Sequence, residues 1–134
     1  CADREDSWLT PTVIDLYEDL HTNGDATCIG CYRDGELVGG LWGLDVGRVL
    51  VAMSMFHTAD SSGTTAVAAA VEQIGPDGRW DMIDVGVTGP LMDRFGATEV
   101  PLTTLQRQLV SALGMAQPGD GDADAAAIAS PASP

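Results

Sequence analysis

The sequence predicts a mixed β-sheet with helices on its faces, an α/β or α+β layer design, and three observations predict it. At 134 residues and 45% hydrophobic, the chain has room for one core and one domain. Its periodic segments run helix, three strands, helix, strand, short helix, helix, with no internal repeat. Asp34-Gly35 separates two of the strand-like runs, and Asp-Gly is a strong signal for a two-residue hairpin turn.

Each element has its own warrant. Thr10 before Pro11 is a helix start, and Val13, Leu16, Tyr17 and Leu20 then recur at helical spacing up to residue 23, with Gly24 as the C-terminal cap. Residues 26–32 and 36–43 read as the two arms of the hairpin, and residues 49–56 as a further strand after a turn at 45–47. Residues 64–74, rich in Ala and Val and closed by Gly75-Pro76-Asp77-Gly78, read as a buried helix packed closely enough to need small side chains. A strand over 80–87, a short helix over 90–95 and a last helix over 103–113 follow. These elements make one domain over residues 1–115. From 116 to 134 the chain is mostly Ala, Asp, Gly, Ser and Pro with one Gln and one Ile, and a disordered tail is expected there.

Charge restricts the function classes. Lys is absent, six Arg face twenty acids, and the formal net charge is −14 with a pI near 4.1. Affinity for phosphates comes mainly from Lys and Arg, so an unaided nucleic-acid surface is not expected and any RNA would have to be held locally or with help. The excess of Asp over Glu without Lys fits a GC-rich genome or an acidic surface suited to high salt. Apolar runs are too short to span a bilayer and no basic segment precedes an apolar one, so no membrane association is expected and cytoplasm is the default. The chain opens on Cys1 rather than Met and is read as a fragment, a processed product or a trimmed piece, ahead of an N-terminal Cys nucleophile or a lipidated end.

Cys28-Ile29-Gly30-Cys31 is the one spacing that suggests a metal or redox site. Residues three apart on a strand face opposite ways, and no second Cys-x-x-Cys exists, so two reduced thiols are expected. His21 and His57 lack an acid or Cys partner nearby in sequence and are assigned packing or surface roles. Gly39-Gly40 reads as a close backbone approach inside the sheet rather than a phosphate loop.

At LVGGLWG (37–43), SMFH (54–57), MID (82–84) and FGATEVP (95–101), in register with Trp8-Leu9-Thr10 and Leu20-His21, the chain resembles the leucyl/phenylalanyl-tRNA protein transferases over about residues 1 to 110. The resemblance implies the C-terminal catalytic domain of that family, a GNAT-like acyltransferase fold without the smaller N-terminal domain. Such enzymes move Leu or Phe from aminoacyl-tRNA to the α-amine of proteins beginning with Arg or Lys, which marks those proteins for degradation. It also implies an apolar aminoacyl pocket of Leu41, Leu50, Met55, Val67, Ala70, Ile74 and Ile83, with Trp8 stacked on the terminal adenosine; Tyr17, on the first helix, also matches a substrate-binding position. Asp84 matches the carboxylate that prepares the attacking amine. Partners would be the aminoacyl-tRNA 3′ end, an acceptor with a basic N-terminus, and the missing domain or a partner chain; no cofactor and no metal are implied.

The polar half of the implied site departs from the family. Gly86 stands where the family has Gln, Met53 where it has Glu, Thr64 where it has Lys, Leu91 where it has His, Leu102 where it has Arg, and Gly30-Cys31-Tyr32 in place of Glu-Val-Trp. Three readings stay open: the aminoacyltransferase, a non-catalytic binding module that keeps the pocket, and a transferase rebuilt for a small-molecule or peptide amine. Residue by residue, Asp84 also reads as a solvated strand-end carboxylate, the apolar set as ordinary core, and Trp8 as cover for a helix start.

Overall fold

The computed structural model describes residues 7–115. The expectations for Cys1 and for residues 116–134 lie outside the described residues. Elsewhere the mixed α/β design holds: a four-stranded sheet of order β1-β2-β3-β4, antiparallel except for the last pair, with helices on its faces.

Helix α1 spans Pro11–Asn23, as predicted. Thr10 accepts the Val13 N–H through Oγ1, Pro11 occupies the first turn, and Gly24 closes the helix at φ +86°. Its apolar stripe is not fully covered, however: no residue of α1 is buried and Leu16 is 54% exposed. Tyr17 supplies its aromatic anchor on the sheet, against Trp42.

Strands β1 (Ala26–Arg33) and β2 (Glu36–Val46) form the predicted hairpin. Asp34 at φ +52° and Gly35 at φ +85° give the two left-handed positions of a type I′ turn, closed by the Arg33–Glu36 pair. β2 runs three residues past the predicted end, and the next turn is at Gly47-Arg48 rather than 45–47. Asp45 explains the difference. Its side chain does not cap a turn; it accepts from Thr27 Oγ1, from Trp80 Nε1 at 2.6 Å and from Arg79 at 3.0 Å. β3 (Val49–His57) pairs with β2, and the register steps from Trp42–Ser54 to Gly43–Ala52, so Met53 is the extra residue of a bulge.

Helix α2 is Ser62–Val71, beginning two residues before the predicted start and ending three before the predicted end. The early start follows from Ser62, whose hydroxyl donates to the Val38 carbonyl at 2.6 Å and ties the first turn to β2. Small side chains are needed there as expected: a Cβ on Gly39 would lie 2.5 Å from Ser62 Oγ, so strand and helix meet backbone to backbone. β4 is only Met82–Asp84, not 80–87, and it runs parallel to β3. Trp80 leaves the strand for the core at 1% exposure, and Gly86 at φ +70° turns the chain away at the other end. The short α3 (Pro90–Asp93) and α4 (Leu102–Ala112) complete the order.

The core lies between α2 and one face of the sheet, built from Leu41, Leu50, Ala66, Ala70 and Trp80, with Ile29, Ala52, Met55 and Ile83 against it. Successive strand residues face opposite ways, so Leu41 joins that core while Trp42 meets Tyr17 on the other face. No described helix is long and apolar enough to cross a membrane.

Candidate active site

A cavity of about 670 Å³ opens where β4 leaves the sheet. Its floor comes from the sheet and α2 through Leu41, Ala52, Val67, Ala70 and Ile74. One wall is the unbroken run 81–88; the other is Met92, residues 95–100, and Leu105 and Gln108 of α4. The apolar floor follows from the Ala- and Val-rich helix packing on the sheet. Its polar rim exists because β4 stops after three residues and hands the chain to an irregular segment.

Seven of the sequence-predicted residues line this cavity: Leu41, Val67, Ala70, Ile74, Ile83, Asp84 and Gly86. Five do not. Leu50 is in the core at 1% exposure, Met55 packs against that core, and Met53 sits on the β3 bulge, partly exposed. Trp8 and Tyr17 lie with Trp42 on the other face of the sheet, Trp8 stacked on Trp42 at 6.0 Å and Tyr17 edge-on to it at 4.2 Å. Trp8 keeps half its surface in solvent.

Asp84 is half-buried at the end of β4. Its Oδ1 accepts the Gly86 N–H at 2.8 Å, and Oδ2 has no hydrogen bond among the described residues. That turn requires the left-handed backbone of Gly86, whose missing side chain leaves open space: no heavy atom lies within 4 Å of a Cβ built there. Any side chain at this position would be strained whatever the space around it. Among the described residues the charged side chains lining the cavity are all acids, Asp81, Asp84 and Glu99. Asp81 is paired with Arg48 at 2.8 Å, whereas Glu99 makes no ion pair or hydrogen bond among them.

Sequence reasoning gave no role to the second wall. Glu99 and Gln108 bring a carboxylate and an amide to the cavity, and Met92, Phe95 and Leu105 extend its apolar surface. The only signal was the FGATEVP motif, in which Glu99 stands. Cys28 and Cys31 do not line the cavity; partial desolvation pushes the Cys28 thiol above its ordinary pKa. No group of three His, Cys, Asp or Glu among the described residues is placed to hold a metal ion. What remains is an apolar chamber with the Asp84 carboxylate in its wall, one oxygen of which is unengaged among the described residues and able to accept from an ammonium or take a proton from an attacking amine.

Comparison with known proteins gives a consistent result. The family model for leucyl/phenylalanyl-tRNA protein transferase matches residues 1–110. A leucyl/phenylalanyl-tRNA–protein transferase of Salinibacter ruber is 33% identical over 113 residues, 84% of this chain and 50% of that protein. Proteins of the same name from Herpetosiphon aurantiacus (32% over 113 residues, 84% of this chain and 59% of theirs) and Prosthecochloris aestuarii (33% over 110 residues, 82% and 56%) are similar to it as well. The chain spans about half the length of the curated relatives it matches.

Proposed function

We propose, because the chain belongs to the leucyl/phenylalanyl-tRNA protein transferase family, that it moves a leucyl or phenylalanyl group from aminoacyl-tRNA to the α-amine of cytoplasmic proteins beginning with Arg or Lys. The observation that carries this reading is the meeting, in one cavity, of an apolar floor and a half-buried carboxylate with a free oxygen. Its 670 Å³ is within the range of about 300–1,000 Å³ usual for small-molecule sites, enough for an aminoacyl group and the first residue of an acceptor.

Leu41, Val67, Ala70, Ile74 and Ile83 take the aminoacyl side chain. The acceptor amine donates to Asp84 Oδ2, and its nitrogen attacks the ester carbonyl carbon. A C–N bond forms, the ester C–O bond breaks, and the amine proton passes by way of Asp84 to the leaving ribose oxygen. The ester is already activated, so positioning supplies much of the rate. For the adenosine we assign Trp8, half-exposed and backed by Trp42, since stacking on a base contributes about 1–3 kcal/mol; Trp8 is on the other face of the sheet from the cavity, so this assignment requires the ester to reach past the sheet edge. Phosphate contacts must come from elsewhere, from a further domain or a basic partner chain, because a net charge of −14 repels RNA.

A second reading, the binding module, is favoured by one observation: Gly86 lines the cavity and carries no amide. Against it, Met53 is not part of the lining, and Glu99 and Gln108 are. The test is transfer of label from radiolabelled phenylalanyl-tRNA to a protein starting with Arg, at low salt, with Asp84→Ala as control. Transfer that the substitution abolishes supports the enzyme. Its absence from folded protein, beside an active reference enzyme, leaves the binding module.

A further inference from the structure

β4 is the last strand of the sheet, hydrogen-bonded on one side only. No backbone hydrogen bond joins Met82, Ile83 or Asp84 to any other described segment. In a ladder with one neighbour, alternate residues aim their N–H and C=O away from it, and natural proteins usually cover or blunt such an edge. Here the edge faces the cavity. All three residues of β4 line it, and since strand side chains alternate between faces, an unbroken run of strand residues means that the backbone itself is part of the wall. The facing segment, 95–100, forms no strand and does not pair with β4.

We propose that this edge binds the acceptor polypeptide as an added strand, antiparallel to β4, with the acceptor's α-amine on Asp84. The inference rests on the transferase reading above and supplies its binding mode. Direction follows from position: Asp84 ends β4, so a chain whose first nitrogen sits there and that pairs with Ile83 and Met82 must run the opposite way. Charge selects the occupant. Asp81 is neutralised by Arg48, which leaves Asp84 and Glu99 as carboxylates without a cationic partner among the described residues, matched to an ammonium end and a basic first side chain. A second copy of this acidic chain has the wrong charge for the same edge. Added-strand recognition draws affinity from main-chain bonds and so tolerates varied sequence beyond the first residue.

The test uses short peptides starting with Arg, labelled at the C-terminus, and reads binding by fluorescence anisotropy without tRNA. Methylating successive backbone nitrogens one at a time should weaken binding about 10-fold at every second position and little between, the loss of one hydrogen bond each. Ester replacement of the same amides, which removes the donor without adding bulk, should give the same alternation. Acetylating the α-amine should weaken binding to wild type, while Asp84→Asn should weaken the free-amine peptide and leave the acetylated one unchanged. Uniform insensitivity to methylation, absence of binding, or a dimer that masks the edge would each overturn the proposal. Transfer to an Arg-starting protein alongside insensitivity sinks the added strand and keeps the transferase; alternation without transfer does the reverse.

Discussion

Two aspartates in strands of one sheet show how surroundings divide the work of identical side chains. Asp45 has a side chain 12% exposed whose two oxygens serve Thr27, Arg79 and Trp80, drawing β1, β2 and the chain before β4 into one knot. Asp84, in the cavity wall, accepts one backbone N–H of its own turn with one oxygen and engages no described residue with the other. A carboxylate whose acceptors are all engaged fixes a fold. One that keeps an acceptor free beside apolar surface can meet a substrate.

The comparison breaks first at Asp84. Asp84→Asn keeps an oxygen for the Gly86 N–H but removes the charge, and transfer should fall about 100-fold or more while the urea midpoint stays put. A shifted midpoint with transfer intact would reverse the assignment. Asp45→Ala should do the opposite: it leaves the Trp80 indole N–H and the Thr27 hydroxyl without their acceptor, costing about 2–3 kcal/mol in urea unfolding, with activity per folded molecule retained. Gly86→Gln sharpens the contrast further. Its φ of +70° disfavours any side chain by about 1–2 kcal/mol, so the substitution should lower stability and fail to raise transfer even though the space is open. Trp8→Ala should raise the half-saturating concentration of aminoacyl-tRNA several-fold with kcat unchanged; a loss of stability alone would make the Trp8–Tyr17–Trp42 cluster an anchor for α1 and nothing more. Least of all, the raised thiol pKa of Cys28 means less thiolate at any given pH, so iodoacetamide at pH 8.5 should label it more slowly than a cysteine in an unstructured peptide.

The elements legible in the sequence are those with local punctuation. Thr10-Pro11 and Gly24 bound α1, and Asp34-Gly35 set the hairpin, because caps and turns are satisfied by neighbours in the chain. β4 was misjudged because its length depends on a distant residue: Trp80 is taken out of the strand by the core and by Asp45, thirty-five positions earlier. The half-exposed stripe of α1 was equally hidden, since periodicity says which side is apolar and not how far a neighbour covers it. In the cavity, the apolar floor and Asp84 were reached through resemblance alone, since an apolar pocket and an ordinary core read alike in sequence. Glu99 and Gln108 were not reached, because neither an irregular segment nor the exposed side of α4 carries a signal for what it will face.

The type I′ turn at Asp34-Gly35 and the alternation along β2 together restrict how this chain can change length in descent. Leu41 and Trp42 are consecutive, one facing the cavity and the other the aromatic cluster. Inserting or deleting a single residue between the turn and Leu41 would exchange their faces, putting an indole in the chamber and a leucine under α1. A single indel in this arm therefore needs a bulge to absorb it, as one already does at Val38 between the Tyr32–Leu37 and Cys31–Gly39 pairs, or a second indel to restore the faces.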